Sequence, residues 1–256
     1  AGPWIETDYH TIPFYFPDTG LFSNRLAQQG DRFSLFEWAD HMISASANSA
    51  ASTLWKELVL IRHFGHMYPP SKEEEENFFS TFPKQQLSTL AASVVNEPLL
   101  AAGILRNEFH LGSFFTAYGK KKIPGEGDST ASPLGLLKYL IAMEQGRIVD
   151  PWSSLEIKRL MYTTSRRIRY ASSPALSGAA VYFKSGSLYR CKPEPGFTCK
   201  KYMGNQDNLM NSVVIVEHPD SRIYMVALMS NVLKKNSAVD HQTLANEIEN
   251  LMKPLP

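Results

Sequence analysis

"HMISASANSAASTLW", residues 41–55, sets Ser44, Ser46, Asn48, Ser49 and Ser52 among apolar neighbours. Ile43, Ala47, Ala50, Ala51, Leu54, Leu58 and Ile61 recur at helical spacing, so the segment reads as one helix closing at Gly65. Serine and asparagine are mediocre helix-interior residues, because their side chains compete for backbone hydrogen bonds. The knot therefore has two readings. It is a small-residue helix packed closely on a neighbour, its hydroxyls bonding back to the turn below. Or it is the wall of a cleft, where hydroxyl and amide are kept for chemistry. On its own the stretch supports both equally.

Upstream, residues 1–31 read as loop: "TIPFYFPDTG" carries two prolines and an Asp-Thr-Gly turn. Phe33, Leu35 or Phe36, and Trp38 begin a short helix. Downstream, "PPSKEEEENFFSTF" has the prolines, serine cap and first-turn glutamates of a helix start, so its four glutamates are a solvated face and not a metal site. "FPKQQLSTLAASVVNEPLLAAGIL" reads as helix up to Pro98, and "HLGSFFTAYGKKKIPGEGDSTASP" as an irregular connection. "STASPLGLLKYLIAMEQGRIVD" is a capped helix closed at Gly146, and "DPWSSLEIKRLMYTTSRR" is another with a basic end. After residue 170 the pattern turns to strand in "GAAVYFKSGSLYR", "NSVVIVEHPD" and "SRIYMVALMSN", and the chain closes on the amphipathic "SAVDHQTLANEIENLMK". A mainly helical part, 1–170, thus precedes strands and a last helix, 171–256, with no internal repeat.

Composition narrows the function. Across 256 residues, 43% hydrophobic and 20% charged is globular, and a net charge of +1 gives no electrostatic case for nucleic acid or an anionic membrane surface. No run reaches the roughly 18 apolar residues of a spanning helix. "AGPWIETDYH" shows neither the basic start nor the apolar core of a signal peptide.

The two cysteines, Cys191 and Cys199, bracket Pro193, Pro195 and Gly196 in "RCKPEPGFTCKK". The spacing reads as a turn clipped by a disulfide, the alternative being two reduced thiols. A disulfide implies an oxidising compartment, periplasmic or extracellular. Two cysteines alone hold no structural zinc, and His63 and His66 in H-x-x-H read as partners of a helix C-terminus, so neither a metal nor a cofactor is expected.

Ser46-Ala47-Asn48, expected on a helix, is followed 138 positions later by Lys184-Ser185-Gly186-Ser187 on the first strand of a hairpin. Each motif is weak alone. In this order and context they resemble the penicillin-recognising serine hydrolases, the class A β-lactamases and D-Ala-D-Ala peptidases. "DRFSLFEWADHMISASANSAASTLW" is similar to the helix pair of that family's S-D-N element. "STASPLGLLKYLIAMEQGRIVD" is similar to the helix after its Ω-loop. "YFKSGSLYR" is similar to its K-T-G strand, and the two strands and closing helix downstream are similar to the family's last elements. The likeness covers most of residues 30–254. It implies an α/β (α+β) fold of the β-lactamase/transpeptidase type, a helical lobe plus an antiparallel sheet with a C-terminal helix.

It also implies roles. Ser46 would relay a proton toward a leaving amine, and Asn48, both donor and acceptor, would hold a substrate amide and the catalytic lysine. Lys184 would lie beside Ser46 as a cation and attract a substrate carboxylate, which Ser185 would hydrogen-bond. Gly186 would let substrate backbone approach, and the Ser187 N–H would serve an oxyanion hole. Lys184–Ser187 otherwise reads as an exposed bulge at a sheet edge.

Two departures stand out. The family's nucleophile lies in S-x-x-K, roughly sixty residues before S-D-N, and no serine here has a lysine three positions later. With the nucleophile segment go the family's first two strands, so the N-terminal part of the sheet is expected to be missing and the Lys184 strand to be left at an edge. E-x-x-L-N, which carries the deacylating glutamate, is not reproduced either: Glu97 is one stand-in, and Glu108 is nearer to Ser132-Pro133. A slow deacylation favours penicillin-binding or peptidase behaviour. The expected activity is serine-type acyl transfer on a small β-lactam or a peptidoglycan-like D-Ala-D-Ala peptide. The alternatives are a non-catalytic binding protein of the cell envelope and an esterase of the same fold.

Overall fold

The computed structural model describes residues 11–253, and the chain divides into two compact units, one through Ala131 and one from Ser132. In the first, the segment expected as loop is partly a hairpin. Strands β1 (Thr11–Phe16) and β2 (Leu21–Leu26) pair antiparallel with Pro13 opposite Asn24, and Gly20, at φ 67°, closes the turn. Proline is compatible with this ribbon because two strands have outer edges that can spare an N–H.

Helix α1 (Leu35–Ile43) starts at a reciprocal capping box between Ser34 and Glu37. Helix α2 (Asn48–Phe64) ends at Gly65, and α3 (Lys72–Thr81) opens on the same box between Ser71 and Glu74. Helix α4 (Lys84–Ala101) runs one turn past the expected break at Pro98. Proline removes one amide but leaves its carbonyl, which still accepts from Ala102 N–H at 3.1 Å. The connection beyond holds a two-residue strand β3 (Phe109–His110), a short α5 (Ala117–Lys122) and β4 (Thr130–Ala131), which pairs with β3. Gly112 is obligatory in it: a Cβ there would lie 2.6 Å from the carbonyl oxygens of Gly127 and Asp128.

The core of this unit is aromatic. Trp55 of α2 stacks on Phe114 at 4.5 Å between centroids and donates its indole N–H to the Ala91 carbonyl at 2.7 Å, with Leu60, Phe78, Phe79 and Leu87 around it. Leu58 and Ile61, expected inside, are 43% and 37% exposed, whereas Ser49, Ser52, Thr53 and Lys56 are buried. The buried face of α2 thus mixes Ala50, Trp55, Val59 and Leu60 with polar groups that find partners: Lys56 Nζ pairs with Glu57 at 2.7 Å and Glu75 at 2.9 Å.

In the second unit, α6 (Pro133–Glu144) and α7 (Pro151–Tyr162) begin at the side-chain caps Ser132 and Asp150. Strands β5 (Ala180–Arg190), β6 (Asp207–Glu217) and β7 (Ile223–Asn231) form an antiparallel sheet in the order β5-β6-β7, and α8 (Ala238–Met252) closes the chain. Among the described residues β5 and β7 are the outer strands, so the strand carrying Lys184 is an edge. Val181, Phe183, Val214 and Val216 bury one sheet face with Tyr170 and Ala245 of α8. On the other, Lys158 of α7 bridges Glu144 of α6 and Glu217 of β6. Helix α8 is riveted by buried Glu249, which takes hydrogen bonds from Tyr224 (2.7 Å), His218 (3.0 Å) and Arg222 (3.2 Å).

Candidate active-site residues

The serine knot is not one helix. Helix α1 ends at Ile43, α2 begins at Asn48, and Ser46 sits in the turn between them with φ 59°. A non-glycine residue in the left-handed region costs about 1 kcal/mol or more and persists only where its surroundings fix it. Here Ala45 and Ala47 on either side are 5% and 1% exposed, packed with Trp38 and Ala50, and Ala47 N–H reaches back to the His41 carbonyl at 3.0 Å. The half-buried Ser46 is thereby held on a rigid corner, and the buried Ala47 leads directly into Asn48, which starts the next helix.

The packing reading of the knot holds for Ser52 and Thr53. Thr53 Oγ1 bonds back to the Ser49 carbonyl at 2.8 Å. Ser52 Oγ, wholly buried, accepts Phe115 N–H (3.2 Å), Thr116 N–H (3.0 Å) and the Thr116 hydroxyl (3.1 Å), fixing the start of α5 from 63 positions away. These polar groups are structural.

In the second unit β5 aligns Lys184 with Val213, Ser185 with Ser212, Gly186 with Asn211 and Ser187 with Met210. Alternation puts Lys184 and Gly186 on the face of Tyr182, whose ring meets Tyr162 of α7 at 5.4 Å. Lys184 Nζ donates to the Ser185 carbonyl at 2.8 Å. Burial, and then the cations of Arg166 and Arg169, push its pKa down to about 8. The ammonium therefore stays mostly protonated at neutral pH but gives up its proton more readily than an ordinary lysine.

Arg169 is the residue that motif reading missed. Only 3% exposed and at φ 54°, it donates from Nη1 to the Gly186 carbonyl at 3.0 Å and the Asn211 carbonyl at 3.3 Å, and from Nη2 to Ser187 Oγ. It fixes the Gly186–Ser187 backbone from beneath. Arg169 lies just beyond "DPWSSLEIKRLMYTTSRR", whose Arg166 and Arg167 read as the basic end of a helix that in fact stops at Tyr162.

Glu108 accepts the Leu105 N–H at 2.9 Å within a tight turn. Cys191 and Cys199 are bonded, with Cα atoms 5.9 Å apart, in the connection between β5 and β6. His63 stacks on Phe78 at 4.2 Å. Among the described residues no cluster of three or more His, Cys, Asp or Glu side chains could hold a metal, and no helix is long and apolar enough to cross a membrane.

Against known proteins, a model of the beta-lactamase enzyme family matches residues 15–250. Among solved structures, PBP-A superposes with a TM-score of 0.56 at 16% identity, over 90% of this chain and 65% of that one. A mutant of PBP-A in an acyl-enzyme complex with penicillin G gives the same figures. A beta-lactamase from Sphaerobacter thermophilus superposes with a TM-score of 0.55 at 16% identity, over 90% and 68% of the two chains. The chain thus spans about two thirds of the length of these relatives. No curated protein matches.

Proposed function

For a chain that belongs to the beta-lactamase enzyme family, we propose a role in serine-type acyl transfer, on a β-lactam or a D-Ala-D-Ala-like peptide, in the periplasm or outside the cell. The observation that supports the reading is the cationic edge of β5, where Lys184, its pKa near 8, feels the charges of Arg166 and Arg169, and Arg169 holds the Gly186 carbonyl. Substrates of both kinds bear a carboxylate. Lys184 and the Ser185 hydroxyl would receive it, while Gly186 leaves room for the substrate backbone. The Ser187 N–H, its strand steadied by Arg169, would donate to the developing oxyanion. Ser46 would pass a proton to the leaving amine, with Lys184 favouring the transfer, and Asn48 would hold the substrate amide. Glu108 is the candidate base for deacylation.

Acyl transfer also needs a serine activated by a nearby base, and these 256 residues contain no S-x-x-K. The chain as given is therefore expected to bind a penicillin without forming a stable covalent adduct. Intact-mass measurement after incubation with penicillin G tests this. An added mass of one drug molecule, lost in Ser46→Ala, would overturn the assignment of Ser46 as relay. An adduct only in a chain extended to carry S-x-x-K would support it. The reading also requires Ser46 and Lys184 to serve one substrate. A short bifunctional thiol reagent should bridge Ser46→Cys and Lys184→Cys, and failure to bridge them would sink the shared site.

A further inference from the structure

In the second unit, the end of the sheet where β5 leaves, β6 enters and β7 leaves is a pole of positive charge. It carries Arg190, Lys192, Lys200, Lys201, Lys234 and Lys235. Three carboxylates answer them: Asp207 pairs with Arg190, Glu194 with Lys234, and Asp240 with Lys235 at 2.7 Å. Lys192, Lys200 and Lys201 are exposed, and among the described residues none of the three has a carboxylate partner. The formal net charge of +1, which gave no case for an anionic membrane surface, averages this pole with a remainder that is net acidic.

The loops presenting these cations are fastened to each other. The Cys191–Cys199 bond clips the β5–β6 connection, and Asn205 brackets Lys192, accepting its N–H at 2.8 Å and donating to its carbonyl at 2.7 Å. Wholly buried Asn208 donates to the carbonyls of Val232 (2.7 Å) and Lys235 (2.8 Å), and Lys234 N–H donates to the Gly204 carbonyl at 2.7 Å. The β5–β6 and β7–α8 connections thus form one preformed surface, which has little left to order on binding. Apolar side chains lie on it as well. Leu188 is opposite Leu209, and Leu209 is opposite Asn231, so Leu188 and Leu233 belong to the same end of the sheet; they are 58% and 46% exposed. A soluble polyanion has no use for exposed leucines. An anionic lipid surface uses both features, its headgroups attracting the lysines while apolar side chains enter between them.

We propose that this end of the sheet docks on an anionic lipid surface, with Lys192, Lys200 and Lys201 at the headgroups and Leu188 and Leu233 entering among them. The surface uses none of the residues of the acyl-transfer reading and does not rest on it. Sedimentation of the full 256-residue chain with phosphatidylglycerol vesicles tests it, with phosphatidylcholine vesicles as the neutral control and heparin as a soluble polyanion. The chain should bind the phosphatidylglycerol vesicles and not the neutral ones. It should be released as salt rises from about 0.1 M to about 1 M, where the screening length falls from about 10 Å to about 3 Å. Each lysine near such a surface strengthens binding about fivefold, so Lys192→Gln, Lys200→Gln and Lys201→Gln together should weaken it about a hundredfold. Leu188→Ser with Leu233→Ser should weaken vesicle binding about tenfold and leave any binding to heparin unchanged. Circular dichroism checks that each variant is folded. No binding to phosphatidylglycerol, equal binding to the two lipids, or undiminished binding by the folded lysine variant would each overturn the proposal. Vesicle binding indifferent to the leucine pair would mark the surface as one for soluble polyanions and overturn it too. The comparison of the two lipids stands even if a variant fails to fold.

Discussion

Replacing Lys184 by methionine should make the protein's stability less dependent on alkaline pH, and the size of the effect follows from its surroundings. Its folded pKa of about 8 lies below the 10.5 of an unhindered lysine. The unfolded chain therefore binds more protons between these values, and stability rises with pH across that window. Below pH 8 the folded state bears the full cost of holding an ammonium near Arg166 and Arg169. Above 10.5 both states are neutral and the cost is gone. The whole linkage is the difference, 10.5 − 8, at about 1.4 kcal/mol per unit, or roughly 3 kcal/mol. Between pH 7 and pH 10 about 2 kcal/mol of it is accessible once solvent screening of a half-buried side chain is allowed for. Equilibrium denaturation of wild type and Lys184→Met at pH 7 and pH 10 measures this. Relative to wild type, the variant should be better off at pH 7 than at pH 10 by about 2 kcal/mol, whatever packing it gains or loses at both. A difference under about 0.5 kcal/mol, or of opposite sign, would refute the view that desolvation and the two arginines control this lysine.

Ser52→Ala should destabilise the first unit by about 2–4 kcal/mol in chemical denaturation, because two backbone amides lose their buried acceptor. A change near zero would mean that the loop re-caps itself. For Glu249, burial raises the pKa, but the hydrogen bonds from Tyr224, Arg222 and His218 outweigh it and leave the carboxyl below its usual value. Its stabilisation is complete above the unfolded carboxylate pKa and is lost as pH falls through the lower folded one. Glu249→Gln should therefore cost about 2 kcal/mol at pH 7 and progressively less toward pH 3, as read from thermal melts. Thiol titration of the unfolded, unreduced chain should find no reactive cysteine, and two would contradict the Cys191–Cys199 bond.

Local chemistry made much of this fold legible. Ser71, Ser132 and Asp150 cap helices where the pattern of cap and first-turn residues put them, and the three long strands follow from β-branched runs. What failed was decided by partners distant in sequence. The buried face of α2 could not be read from its own periodicity, since Ser52 and Lys56 are satisfied by Thr116 and Glu75, and Leu58 is left outside. Pro13 and Pro98 read as breakers because an isolated chain offers no ladder edge or helix end to absorb a missing amide. Of the candidate site, the side-chain types at 46, 48 and 184–187 were readable. The left-handed corner at Ser46 and the support from Arg169 were not, because neither leaves a local signature.

The bond from Ser52 to the start of α5 also bears on how the first unit assembles. A helix of six residues is far too short to persist alone, because nucleation costs more than so few turns return. Its capping hydroxyl at Thr116 is itself tied to a side chain 64 positions earlier, so α5 cannot form until α2 has formed and docked. Helix α5 is then a late structure in folding, and its amides have no opening route of their own. Under native-state hydrogen exchange they should exchange together with the centre of α2, at one rate and with one denaturant dependence, in place of the fast fraying usual for a short surface helix.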